Sequence, residues 1–159
     1  MKYWNFTWKD FISKAPYAWD VIQISIISTG DIHVPIHTRF VNDFSTACYI
    51  ITRHHAEKLL KLHVRGDKYK LDNGVKPRPV ADDLVYNSGL TFAIPLLLYK
   101  IEMGSSIHPD HIDAFHRRCY DGILNFWKTT GYEMSIDVLM NFDPYLGRIS
   151  NPSSPPNNG

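Results

Sequence analysis

Apolar and polar positions divide the chain into short segments of helical and strand period. Trp8, Phe11 and Ile12 share one helical face, with Thr7 placed to cap it and Ala15-Pro16-Tyr17 placed to end it. From Trp19 to Ile27 the pattern alternates and then runs apolar through Val21, Ile22, Ile24, Ile26 and Ile27, which predicts a buried strand. Ser28 to Asp31 reads as a turn, and His33 to Asp43 as a loop or an irregular strand. Thr46 to Ile51 predicts a second strand. Thr52 then caps a helix that sets Ala56, Leu59, Leu60 and His63 on one face, with His54 and His55 in its exposed first turn. Gly66 to Pro79 is a long polar loop of the kind that carries function. Asp82 to Asn87 predicts a short helix stopped by Gly89, and Thr91 to Leu98 a third strand. The longest helix is expected to start near Pro109 and to bury Ile112, Phe115, Cys119, Ile123, Phe126 and Trp127.

Strand followed directly by helix is the grammar of an α/β layer. At 159 residues, one domain over residues 1–148 is expected, followed by a tail over 149–159 that is disordered by its Asn, Pro and Ser content. The balance of 17 Lys plus Arg against 16 Asp plus Glu argues against a general nucleic-acid binder. No apolar run reaches the roughly 18–20 residues of a membrane span. Cys48 and Cys119 lie inside apolar patterns and no signal-peptide core precedes them, which fits buried, reduced thiols and a cytoplasmic setting. Four aromatics crowd the first eight residues, as in the middle of a folded domain.

Chemistry concentrates in two places. In Pro79-Val80-Ala81-Asp82-Asp83-Leu84 two adjacent carboxylates follow the extended arm that Lys76-Pro77-Arg78-Pro79 dictates. An acid where a helix begins is either a cap or a catalytic carboxylate held at a cleft rim. In His37-x-Arg39-Phe40, Arg39 offers a fork for phosphate or carboxylate with His37 as a neutral donor, or else Arg39 forms a salt bridge to Asp43. His116 and Cys119 stand one helical turn apart, but a closed zinc site needs four ligands.

The order of these segments resembles glycosyltransferase family 25, the lipopolysaccharide-biosynthesis and procollagen galactosyltransferase type, and particularly its small phage- and virus-encoded versions. Trp19-Asp20-Val21-Ile22-Gln23-Ile24 is similar to the family's strand after the acceptor-side helix. Ser45 to Thr52 looks like its Gly-Thr-x-x-Tyr-Leu-Ile-Ser strand, with serine replacing glycine. Ala56-Glu57-Lys58-Leu59-Leu60 matches its Ala-x-Lys-Leu-Leu helix, and Pro79 to Leu84 its Pro-Val-Asp-(Asp/Glu)-x-Leu element with one residue inserted. The similarity covers roughly residues 15–100.

The resemblance implies an α/β, partial GT-A-like sheet flanked by helices. It also implies transfer of a sugar from a nucleotide-sugar donor to a glycan or lipopolysaccharide hydroxyl, with inversion. Asp82 would be the base, with Asp83 as its support or alternate, and a divalent metal, usually manganese, would be expected in the complete enzyme. The family's acidic metal motif has no counterpart before Trp19, so the resemblance implies a truncated or split enzyme, with a separately encoded N-terminal portion as a possible partner. If viral, the setting is the host cytoplasm. The alternatives are a non-catalytic remnant or glycan-binding module and, further off, a metal-dependent hydrolase or nuclease.

Overall fold

Four strands organise the chain in a computed structural model that describes residues 4–28, 31–69, 80–98 and 116–144. The predicted proline arm, the start of the long helix with its Ile112 and Phe115, and the tail lie outside those residues. The first helix, α1 (Trp8–Ser13), begins as its sequence requires. Thr7 Oγ1 accepts from the Asp10 N–H at 3.1 Å and Asp10 Oδ2 accepts from the Thr7 N–H at 3.0 Å, a reciprocal capping box.

Strands β1 (Val21–Ser25), β2 (Ile27–Ser28), β3 (His37–Thr38), β4 (Asp43–Phe44) and β5 (Tyr49–Ile51) follow. Helix α2 (Arg53–His63) comes next, with Thr52 Oγ1 accepting from the His55 N–H as its cap, and leads into the hairpin β6 (Val64–Arg65) and β7 (Lys68–Tyr69). After α3 (Ala81–Tyr86) the chain forms β8 (Thr91–Leu97), α4 (Arg117–Thr129), a 3₁₀ turn and α5 (Ile136–Leu139). The main sheet has the order β3-β8-β1-β5, with β1 and β8 parallel at its centre and both edge strands antiparallel to them. The protein is therefore a mixed α/β fold with a mixed four-stranded sheet flanked by helices.

Pro95 sits inside central β8, where it has no N–H to give the ladder. The register shifts there, from Gln23 opposite Ala93 to Ser25 opposite Leu97. The Pro95 carbonyl instead accepts from Trp127 Nε1 at 2.7 Å, which ties α4 to the irregularity.

Because strand side chains alternate, the sheet has two different faces. Ile22, Ile24, Phe92 and Ile94 join Phe6 and Phe11 with Cys119, Ile123 and Trp127 of α4 and Leu139 of α5 in one buried cluster. Within the described part of α4, Cys119, Ile123 and Trp127 of the predicted stripe are buried and Phe126 is half-buried. The opposite face carries Gln23, His37 and Thr91, all buried and polar.

Two local expectations change. The predicted strand Thr46 to Ile51 shortens to Tyr49–Ile51, because Ser45 takes φ +98° and turns the backbone before the ladder begins. On α2, Leu60 stays 61% exposed while His55 is wholly buried, which corrects the expectation of an exposed His55. His55 Nε2 donates to the Val85 carbonyl at 3.1 Å, and its ring packs where Gly89 leaves room.

Candidate active site

The buried polar face is built outward from Gln23. Its side-chain nitrogen lies 2.8 Å from the Phe44 carbonyl, 2.9 Å from that of Ser45, 3.2 Å from that of Asp43 and 3.3 Å from that of Ser25. One amide thus fixes the chain through β4 to the turn at Ser45. Its oxygen accepts from Arg39 Nε at 3.2 Å.

Arg39 follows β3, whose antiparallel pairing with β8 carries its N–H to the Thr91 carbonyl at 3.0 Å. Its Nε also donates to the Asp43 carbonyl at 3.1 Å, and its Nη1 to Asn87 Oδ1 at 3.3 Å. The guanidinium carbon stands 4.6 Å from the centre of the Tyr86 ring, a cation–π arrangement. Tyr86 is pinned in turn by its hydroxyl, which donates to the Ser45 carbonyl at 2.8 Å. Burial, and then the charge of Asp82, push the Tyr86 phenol well above its ordinary pKa, so Tyr86 is a neutral donor here. Arg39 Nη2 alone has no hydrogen-bond partner, although it is buried. Burial lowers the pKa of this guanidinium, while the charges of Asp43, Asp82 and Asp83 raise it.

His37 and Asp43 serve Arg39 from beneath. His37 is 1% exposed, stacks on Phe40 with ring centres 5.1 Å apart, and donates from Nδ1 to the Pro35 carbonyl at 3.0 Å. Its Nε2 lies 3.5 Å from Asp43 Oδ2, and the same carboxylate oxygen accepts from the Phe40 N–H at 2.8 Å. The expected Arg39–Asp43 salt bridge is not formed: Arg39 reaches only the Asp43 backbone carbonyl, and the Asp43 carboxylate is turned to His37. His37 therefore contacts the residues that flank Arg39, Phe40 and Asp43, and does not reach Arg39 itself.

Asp82 and Asp83 occupy the first turn of α3, while the capping position falls to Val80, which makes no side-chain cap bond. Neither acid is the cap. Both still sit where the free N–H groups of a helix start favour negative charge. Asp83 is fully buried. Asp82 is half-buried, and its Oδ1 has no hydrogen-bond partner.

Of the sequence-derived candidates, Asp82 and Asp83 are near enough for their charges to act on the Arg39 guanidinium, and His37 is linked to Arg39 through Asp43. Gln23, Ser45, Tyr86 and Asn87 complete the site and were not anticipated. Gln23 carried a signal, as a lone amide inside an apolar strand. Among the described residues, no three His, Cys, Asp or Glu side chains come together in a group that could hold a metal ion, and no helix is long and apolar enough to cross a membrane. Cys48 and Cys119 are free, and the Cys119 thiol, pushed up by burial, donates to the Ile26 carbonyl at 3.5 Å. Compared with family models, curated proteins and solved structures, the chain finds no match.

Proposed function

We propose that this chain is part of a glycosyltransferase of the family 25 type, truncated or split, that moves a sugar from a nucleotide-sugar donor to the hydroxyl of a glycan, with Asp82 as the base. One observation carries this reading. Arg39 Nη2 and Asp82 Oδ1 are a donor and an acceptor, each buried and left without a hydrogen-bond partner, and the Asp82 charge acts on the guanidinium. A hydroxyl has one proton to give and lone pairs to receive, so it satisfies both at once. In that pose Arg39 holds the hydroxyl oxygen and Asp82 Oδ1 takes its proton as the oxygen attacks the anomeric carbon. The nucleoside diphosphate leaves from the opposite side.

Ser45 adds support. Its φ of +98° is a backbone state that glycine adopts most easily, and it stands where the resembled strand motif has glycine. A divalent metal would neutralise the leaving diphosphate in such an enzyme. The described residues do not offer a ligand group for one, so no step is assigned to it.

The test is a nucleotide-release assay across a panel of nucleotide sugars and simple glycoside acceptors, with manganese present. Asp82→Asn keeps the shape and removes the basicity, and should lower turnover by about 10²–10⁴-fold with an unchanged fold. Wild-type turnover in that variant, or no release from any donor, would overturn the proposal. Sugar binding without turnover would leave a glycan-binding module.

A further inference from the structure

Whatever reaction the polar face performs, the sheet that carries it ends in an edge with free main-chain groups. In an antiparallel ladder, alternate residues of an edge strand turn their N–H and C=O toward the neighbour, and the residues between turn theirs outward. At one end of β5 the Thr52 N–H reaches the Asp20 carbonyl at 2.9 Å, and at the other the Cys48 carbonyl receives the Ile24 N–H at 3.1 Å. Ile50 lies between them, in register with Ile22. Cys48, Ile50 and Thr52 therefore face β1, and Tyr49 and Ile51 turn their N–H and C=O to the outside. Among the described residues no strand pairs with that side, and no hydrogen bond engages those outward groups. Edge strands are normally blunted by proline, by a charged side chain or by a bulge. The opposite edge, β3, is bracketed by Pro35 and the charged Arg39. The sequence of β5 is Tyr-Ile-Ile, aromatic and β-branched throughout, with no such guard.

We infer that β5 pairs antiparallel with β5 of a second copy of this chain, about a two-fold axis at Ile50, joining two four-stranded sheets into one. In that register Tyr49 of each copy exchanges N–H and C=O with Ile51 of the other, and no outward group is left unmatched. Centred on Tyr49 instead, Ile51 would need Ala47, whose N–H is already given to Ser45 Oγ. Centred on Ile51, Tyr49 would need Arg53, the first residue of α2. The side chains agree with the Ile50 centre. Ile50, which packs against the core cluster, meets its own copy on that face, and Tyr49 meets Ile51 on the face of Tyr86. Cross-strand pairs of β-branched and aromatic residues stabilise a ladder. Arg53 falls at opposite ends of the joint, so its charge does not oppose itself.

Sedimentation velocity on the full chain over a range of concentrations tests this, together with amide exchange followed by NMR. The joint is short, so the expected dimer forms in the micromolar range or above and comes apart on dilution. The Ile50 amide should be protected at every concentration, whereas those of Tyr49 and Ile51 should gain protection only as the dimer forms. Ile51→Pro removes an outward donor and leaves the bonds to β1, and Ile51→Lys keeps the main chain but adds the kind of charge that guards edges. Each should weaken the dimer by at least about tenfold, with circular dichroism reporting that the fold is retained. Leu60→Ser, on the exposed side of α2, should leave the dimer unchanged. A monomer at all concentrations up to about 1 mM overturns the inference. So does a dimer indifferent to both Ile51 variants, or one lost with Leu60→Ser instead. If neither Ile51 variant folds, the wild-type exchange decides, and a dimer in which the Tyr49 and Ile51 amides stay unprotected overturns it.

Discussion

Replacing Ser45 with glycine and with alanine separates backbone strain from hydrogen bonding at the turn that supports Arg39. Ser45 sits at φ +98°, and a non-glycine residue held in such a region costs on the order of 1–3 kcal/mol. Its carbonyl receives both Gln23 and Tyr86, which explains why the turn persists, and its hydroxyl accepts from the Ala47 N–H at 3.1 Å. Alanine removes that last bond, worth about 0.5–1.5 kcal/mol, and keeps the strain. Glycine removes the bond and the strain together, but adds roughly 0.5–1 kcal/mol of unfolded-chain entropy. The hydroxyl cancels when the two variants are compared, leaving Ser45→Gly more stable than Ser45→Ala by about 1 kcal/mol. Urea unfolding midpoints measure this directly, provided the slopes agree between variants. Ser45→Gly proving the less stable of the two would refute the assignment of a left-handed turn here.

Further outcomes follow from other contacts. Gly89→Ala would set its Cβ 2.5 Å from His55 Cε1 and 2.7 Å from Asp20 Oδ2, with His55 fully buried, so a loss of about 1–3 kcal/mol is expected in chemical unfolding. Trp127→Phe deprives the Pro95 carbonyl of its 2.7 Å donor inside the core, and should cost about 1–3 kcal/mol before any loss from the smaller ring is counted. Asp10 is held below its ordinary value of 3.8 by hydrogen bonds from Thr7. Its folded pKa is depressed, so the capping box stabilises above about pH 3.8 and fades as pH falls through the lower folded value. In an NMR titration Thr7→Ala should return Asp10 toward 3.8, and an unmoved midpoint would show that the box does not form.

Local chemistry made much of this fold legible. Thr7 and Thr52 each cap the helix they precede, because a side-chain oxygen at that position serves the free N–H groups whatever packs around it. The run from Val21 to Ile24 is a strand whose apolar residues dominate both sides apart from Gln23, and a central position buries it on both sides. Legibility ended where partners come from afar. His55 looked like a surface residue of a first turn, and is buried because the Val85 carbonyl, 30 residues on, accepts a hydrogen bond from its ring and Gly89 leaves space for that ring. Leu60 matched a helical stripe, yet nothing in its own spacing says whether a second layer exists to cover it. At the site, the adjacency of Asp82 and Arg39 depends on β3 pairing with β8, a contact between segments more than 50 residues apart that no local pattern encodes.

The two faces of the sheet bear on why the polar cluster exists at all. On the face toward α4, side chains meet as hydrocarbon and aromatic surface and the strands need nothing more. On the other, Gln23, His37, Asp43 and Asp83 are as deeply buried as the core. Burying such groups costs several kcal/mol each unless partners satisfy them, and well-packed apolar replacements are often as stable or more so. Gln23 meets that condition through four carbonyls and Arg39, and every one of those contacts bears on where the guanidinium points. Stability alone does not call for this arrangement. Arg39 Nη2 and Asp82 Oδ1 are left unmatched, and so is His37 Nε2 on the same face. Replacing Gln23 by leucine should therefore harm ligand binding at Asp82 more than it harms the fold, and a variant that unfolds while its folded fraction binds normally would show the layer to be structural only.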